Sequence, residues 1–223
     1  METDRKWIVV RIDGKLAGIS RDYDRLADIS TRISAEFRYS ENQTPGKSGR
    51  GKRKESDNVL PYSEVTALTA SFEEIIRLRE TAVWEDFMLF GTEFQKKVWK
   101  TLWEMSHPEI DGNTSGDDSR TRDVKAHILS YSDFAELCDN KAGVRAVAHA
   151  IGLNPLPVII PCHLIVPKEA IDKIEDIRKK AESTIFKGED LSTNAILEDT
   201  AIDFGEYSLG KELKRRLIQM DLG

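Results

Sequence analysis

The sequence predicts an α/β protein: a small N-terminal α/β domain, then a C-terminal, mainly helical domain with a helix-turn-helix and a short strand carrying a cysteine. Three observations lead there. Trp7 to Ile12 and Lys15 to Ile19 are β-prone runs joined by Asp13-Gly14, a strong hairpin signal. Apolar residues recur at helical spacing in several later stretches. The run Asn154-Pro155-Leu156-Pro157-Val158-Ile159-Ile160-Pro161 is apolar and proline-bounded, and it ends on Cys162-His163.

After the hairpin, Leu26, Ile29, Ile33 and Phe37 keep the spacing of a helix. Residues 41–57 carry five Lys or Arg, three acids, Gly and Pro without hydrophobic periodicity. They read as a solvated linker, with a nucleic-acid-tethering arm or localisation signal as the alternative. Val65, Leu68, Phe72, Ile75, Ile76 and Leu78 read as one helix closing the N-terminal region. Thr92 and Gln95 form a capping-box pattern ahead of a helix whose Phe94, Val98, Trp99 and Leu102 share a core face. Residues 107–123 are polar and turn-rich, an inserted surface loop. A helix from Ser132 to Cys138, a turn at Asp139-Asn140 and a second helix from about Lys141 to Ile151 read as helix-turn-helix. Val158, Ile159 and Ile160 read as a buried strand that Pro161 stops. Further on, Ile171, Ile174 and Ile177 have helical spacing and are expected to pack against the C-terminal domain.

Composition narrows the function classes. The chain has 223 residues, 39% hydrophobic and 32% charged, enough for one large or two small domains. A net charge of −6 argues against a general nucleic-acid coat, so any DNA-binding face must be local. Two cysteines, Cys138 and Cys162, cannot supply a disulfide framework or a four-ligand zinc site. His107, His127, His149 and His163 show no ligand spacing, and neither a metal nor another cofactor is expected. No apolar run approaches the length of a membrane span and no signal-peptide pattern opens the chain. The expectation is a cytoplasmic protein with reduced thiols, nucleoid-associated if bacterial.

A free thiol is mostly protonated at neutral pH, and a neighbouring imidazole is the residue type that activates one. Cys162 beside His163 therefore reads as a nucleophile with its base. The alternative is a small buried hydrophobe beside a core histidine.

The flanking residues add specificity. Gly91-Thr92-Glu93-Phe94-Gln95-Lys96-Lys97-Val98-Trp99, Tyr131-Ser132-Asp133-Phe134-Ala135, Val144-Arg145-Ala146-Val147-Ala148, Asn154-Pro155, Pro161-Cys162-His163 and Gly205-Glu206-Tyr207-Ser208 resemble the O6-alkylguanine-DNA alkyltransferases in order and spacing. The likeness covers about the C-terminal three fifths of the chain.

The resemblance implies direct-reversal DNA repair: irreversible transfer of an alkyl group from O6-alkylguanine in DNA to Cys162, by a methylated-DNA-[protein]-cysteine S-methyltransferase used once. It implies a monomer acting on double-stranded DNA, with no membrane partner, and domains at 1–88 and 89–223 with insertions near 107–123 and 168–206. Under it, His163 is the base acting through a water, Asp221 orients His163, Asn154 braces the turn holding the cysteine, and Tyr131 meets the guanine N3. Arg145 matches the finger that fills the space left by a flipped nucleotide, with Tyr131, Ser132 and Lys141 also at the DNA. The second helix of the helix-turn-helix would enter the minor groove. Ile151, Pro157, Ile165, Tyr207 and Ser208 would form the substrate pocket, the Cys162 and Ile165 carbonyls accepting from the guanine amine.

Three positions depart from the family. Leu164 stands where an arginine is usual, His149 occupies a position usually small, and a short loop is replaced by Lys168 to Glu206, with 11 acidic and 6 basic residues. A non-catalytic lesion-binding protein of the same fold is the alternative function. A cysteine hydrolase is a more remote one, because such sites draw Cys and His from distant segments.

Overall fold

The computed structural model describes residues 6–22, 24, 27, 29, 31, 33, 64–107, 128–184, 199 and 201–222. Leu26, Phe37, the 41–57 linker and most of the 107–123 loop lie outside the described residues. The chain forms two compact units, Met1–Lys96 and Lys97–Gly223.

In the first unit, β1 (Trp7–Ile12) and β2 (Lys15–Ser20) pair antiparallel, with Ile12 opposite Lys15 and a bulge between Val10 and Arg11. The turn is the one predicted: Asp13 has φ 48° and Gly14 φ 79°, left-handed values that Asp-Gly tolerates. Helical backbone follows at Asp24, Ala27, Ile29, Thr31 and Ile33, with Ile29 buried.

The predicted single helix over Val65 to Leu78 is corrected. Residues Val65–Ala70 form β3, which pairs antiparallel with β1 and completes a sheet of order β2-β1-β3. The helix α1 begins only at Phe72 and runs Phe72–Thr81. Ser71 decides the break: its hydroxyl accepts from the Glu74 N–H at 3.2 Å, while the Glu74 carboxylate accepts from the Ser71 N–H at 2.6 Å. That reciprocal cap fixes Ser71 outside the helix, and the Val-Thr-Ala-Leu-Thr run before it suits an edge strand. Phe72 and Ile75 are buried, and the Phe72 ring lies 6.1 Å from that of Trp7.

Helix α2 (Glu93–Ser106) starts at the predicted cap, with Thr92 N–H donating to Gln95 Oε1 at 2.9 Å and Gln95 N–H to Thr92 Oγ1 at 3.2 Å. Val98, Trp99, Leu102 and Trp103 are buried along it. In the second unit the Trp99 indole donates to the Ala150 carbonyl at 2.8 Å, which fixes the height of the later helix carrying Ala150.

β4 (Leu129–Ser130) leads straight into α3 (Tyr131–Leu137), whose N-cap is Ser130; its hydroxyl accepts from the Asp133 N–H at 3.1 Å. Asp139, at φ 56°, turns the chain, and a short 3₁₀ turn (Lys141–Gly143) feeds α4 (Val144–Gly152). Val147, Ala150 and Ile151 face the core, while Arg145, Ala146 and His149 face outward. The predicted helix-turn-helix is thus present as α3-turn-α4.

The predicted cysteine-bearing strand is not. Between α4 and Cys162 the backbone forms a tight buried turn closed by a bridge of Pro157 to Ile160. Ile160 N–H donates to the Leu156 carbonyl at 2.9 Å. Cys162 itself opens a 3₁₀ turn (Cys162–Leu164), followed by β5 (Ile165–Val166), parallel to β4. Three prolines in seven positions remove the donors a strand would need. Val158 takes φ 77°, unusual for a β-branched residue. Burial of Val158, Ile159 and Ile160 holds that conformation, which costs on the order of 1–3 kcal/mol.

The predicted isoleucine helix forms as α5 (Lys168–Thr184). Ala170 and Ile174 are buried in a cluster with Val166, Ile202, Phe204 and Ile218, and the half-buried Ile171 and Ile177 pack against it. Residues 185–198 of the insertion, and residue 200, lie outside the described residues. Its return is pinned by Lys173 Nζ donating to the Ala201 carbonyl at 2.6 Å and by Arg215 donating to the carbonyls of Asp199 (3.0 Å) and Ile202 (2.5 Å). The insertion's two stems meet where Gly205, at φ 80°, passes Pro167; a Cβ there would lie 2.9 Å from the proline ring. The last helix is α6 (Lys211–Leu222).

Candidate active site

The turn before Cys162 carries many backbone polar groups in an apolar interior, and Asn154 satisfies several of them. Its Nδ2 donates to the Ile160 carbonyl at 2.9 Å and lies 3.0 Å from the Cys162 sulfur, while its Oδ1 accepts from the Leu156 N–H at 3.0 Å. Asn154 is wholly buried and Cys162 only 5% exposed. One side chain therefore ties both ends of the turn and touches the thiol.

His163 is wholly buried beside Cys162, and its Nε2 lies 2.8 Å from Asp221 Oδ2 near the end of α6. With the carboxylate ionised, Nε2 carries the proton it donates, and the neutral ring then holds its basic lone pair on Nδ1. The Tyr207 ring stands edge-on to the imidazole, with centroids 6.3 Å apart.

Cys162 also lines a cavity of about 370 Å³ with Tyr131, Ala148, Ile151, Gly152, Glu206, Tyr207 and Ser208. Burial raises the Tyr131 hydroxyl above the usual tyrosine range, with the charges of Cys162 and Glu206 adding to the shift. Five expected residues thus share one cavity: Cys162, Tyr131, Ile151, Tyr207 and Ser208. The buried Asn154 and His163, with the half-buried Asp221, form the support behind the thiol.

Pro157 and Ile165 do not line that cavity. Pro157 belongs to the buried turn, and the Ile165 carbonyl accepts from the Lys214 ammonium at 2.8 Å and so braces that lysine. Arg145 is exposed on α4. Ser132 bonds Ser130 at 2.8 Å between hydroxyls, and Lys141 pairs with Glu136 at 3.1 Å on the surface. Leu164 is wholly buried, so a core side chain fills this position without a charged brace.

Lys214 escaped sequence reasoning. It is 1% exposed, and desolvation lowers its pKa to about 8 against the opposing pull of Cys162, Asp203 and Glu206. Its signal was available: Lys214 falls on the same helical stripe as Leu217, Ile218 and Asp221, where an unpaired cation is costly. Ala148 and Gly152 were also missed, though they sit one turn apart on α4, on the side facing the cavity. Glu206 adjoins two expected pocket residues.

Residues 124–182 match the family described as 6-O-methylguanine DNA methyltransferase, DNA binding domain. Over 83 residues the chain is 41% identical to a probable methylated-DNA–protein-cysteine methyltransferase of Acanthamoeba polyphaga mimivirus, covering 37% of this chain and 44% of that protein. Over 78 residues it is 33% identical to a methylated-DNA–protein-cysteine methyltransferase of Saccharomyces cerevisiae, covering 35% of this chain and 32% of that one. The matched stretch spans less than half the length of these curated relatives. The crystal structure of O6-methylguanine-DNA methyltransferase from the archaeon Pyrococcus kodakaraensis aligns over 98% of this chain and 93% of that one, at 18% identity and a TM-score of 0.43.

Proposed function

We propose, from the premise that the chain belongs to the 6-O-methylguanine DNA methyltransferase family, that it repairs DNA by moving an alkyl group from the O6 of guanine to Cys162. The observation that carries this reading is the buried line Cys162, His163, Asp221, with Asn154 on the sulfur and an open cavity at the thiol. A nucleophile, a base and a group orienting the base is the arrangement an activated thiol needs.

In this reading the lesion reaches the cavity only after leaving the duplex, and α3-turn-α4 holds the DNA in its minor groove while Arg145 fills the vacated stack. Ser132 and Lys141 lie toward the backbone of the same DNA. Tyr131 donates to the guanine N3, and the Ser208 N–H and the Tyr207 ring hold the base. Ile151 flanks the alkyl slot.

Asp221 holds His163 as the tautomer with Nδ1 basic, and that nitrogen takes the thiol proton through a water. The sulfur attacks the alkyl carbon, the C–O6 bond breaks, and its electron pair leaves with the guanine, which ends protonated. A thioether does not revert, so each molecule acts once. Lys214, behind the Ile165 carbonyl, places a cation near the developing thiolate. We set the domains at 1–88 and 89–223, a boundary eight residues before that of the two compact units, and the protein acts as a monomer in the cytoplasm. Among the described residues no helix is long and apolar enough to cross a membrane, and none of α5 lines the cavity.

Incubation with a duplex containing O6-methylguanine tests the reading by intact mass. A gain of one methyl group per chain supports it; tight binding of the lesion without any mass gain would favour a lesion-binding protein instead.

A further inference from the structure

Among the described residues lining the cavity, Glu206 alone bears a carboxylate. Its carboxylate lies 2.9 Å from Lys211 Nζ, which also stands 3.5 Å from Asp203. One ammonium is thus divided between two carboxylates and neutralises neither in full. Lys214, the other nearby cation, is buried behind the Ile165 carbonyl and does not line the cavity. Glu206 also contributes, after burial and Cys162, to the raised pKa of Tyr131, another residue of the lining.

We propose that Glu206 filters alkyl groups by charge, disfavouring O6-alkyl groups that carry a carboxylate relative to neutral groups of the same shape. This rests on the alkyl-transfer reading and names its substrate class. The sulfur pair forms the new S–C bond, the C–O6 pair leaves with the guanine, and the thiol proton ends on the guanine. A carboxymethyl group keeps its negative charge throughout and becomes S-carboxymethylcysteine. Glu206 therefore opposes it in the substrate, the transition state and the product alike. The Glu206 side chain is 88% exposed, so solvent screens the effect and the filter is shallow.

The test uses duplexes bearing O6-carboxymethylguanine and O6-carbamoylmethylguanine, isosteres that differ in charge, with O6-methylguanine as reference. Single-turnover rates give the ratio of carbamoylmethyl to carboxymethyl transfer for each protein. Glu206→Gln should lower that ratio by roughly 2- to 5-fold. Lys211→Gln, which leaves the carboxylate unpaired, should raise it, and added salt should shrink the wild-type gap. The two variants move the ratio in opposite directions, so a folding defect in either cannot mimic the filter. A ratio that is the same in the wild type and in Glu206→Gln, or that falls in Lys211→Gln, overturns the proposal while leaving alkyl transfer standing. Absence of transfer from the methylated duplex to wild-type protein would remove the alkyl-transfer reading, and the filter with it.

Discussion

Asp221 accepts from the His163 imidazole at 2.8 Å although 58 residues separate them, so the last turn of α6 supplies the group that orients the side chain next to Cys162. His163 is wholly buried and the Asp221 side chain 9% exposed, so the pair ties α6 to the 3₁₀ turn of residues 162–164 largely out of solvent.

If Asp221 orients His163, Asp221→Ala should slow alkyl transfer by about 10²-fold or more, the usual scale of a lost base function. Asp221→Glu should recover most of the rate, and the variant's rate should climb with pH as thiolate forms without help. An Asp221→Ala protein with the wild-type rate and pH profile would show that the pair serves folding alone.

Lys214 makes a pH prediction whose sign follows from its pKa of about 8, below the usual lysine range. Between about pH 8 and 10.5 the unfolded chain binds more protons than the folded one, and stability then rises with pH. Wild-type stability measured by denaturation should therefore gain on that of Lys214→Met across this window. Taking the difference removes Tyr131, whose raised pKa acts the other way at higher pH. Parallel curves for the two proteins would contradict the assignment.

Arg145 is exposed, and Arg145→Ala should leave stability within about 0.5 kcal/mol of wild type. Its effect belongs to the duplex: reaction with free O6-benzylguanine should persist while repair of O6-methylguanine in duplex falls. Equal losses on both substrates would make Arg145 a structural residue.

Gly205→Ala should destabilise the protein by roughly 1–3 kcal/mol, because φ 80° is strained for alanine and the new Cβ meets the Pro167 ring. Unchanged denaturant midpoints would mean that the two stems of the insertion are free to separate.

Much of this was legible in the sequence where one local signal dominates. Asp13-Gly14 fixed the hairpin, Thr92 and Gln95 the start of α2, and Ile171, Ile174 and Ile177 the buried face of α5. Asp221 came from the family resemblance and not from a local signal. Failures came where two signals competed. Val65 and Leu68 lie at helical spacing from Phe72, yet the Ser71 cap and pairing with β1 decide the chain's course. Val158, Ile159 and Ile160 look like a strand by composition, but the prolines and the Asn154 contacts fold them into a turn. Lys214 showed only its place on the apolar stripe of α6; its partner is a backbone carbonyl, which leaves no mark in a sequence.

Cys162 as the alkyl acceptor is tested most directly by peptide mass spectrometry after one equivalent of O6-methylguanine duplex. One methyl group is expected on the peptide holding Cys162, with no label on that holding Cys138 and no reaction in Cys162→Ala. Methylation at Cys138, or release of methanol with continued turnover, would contradict it.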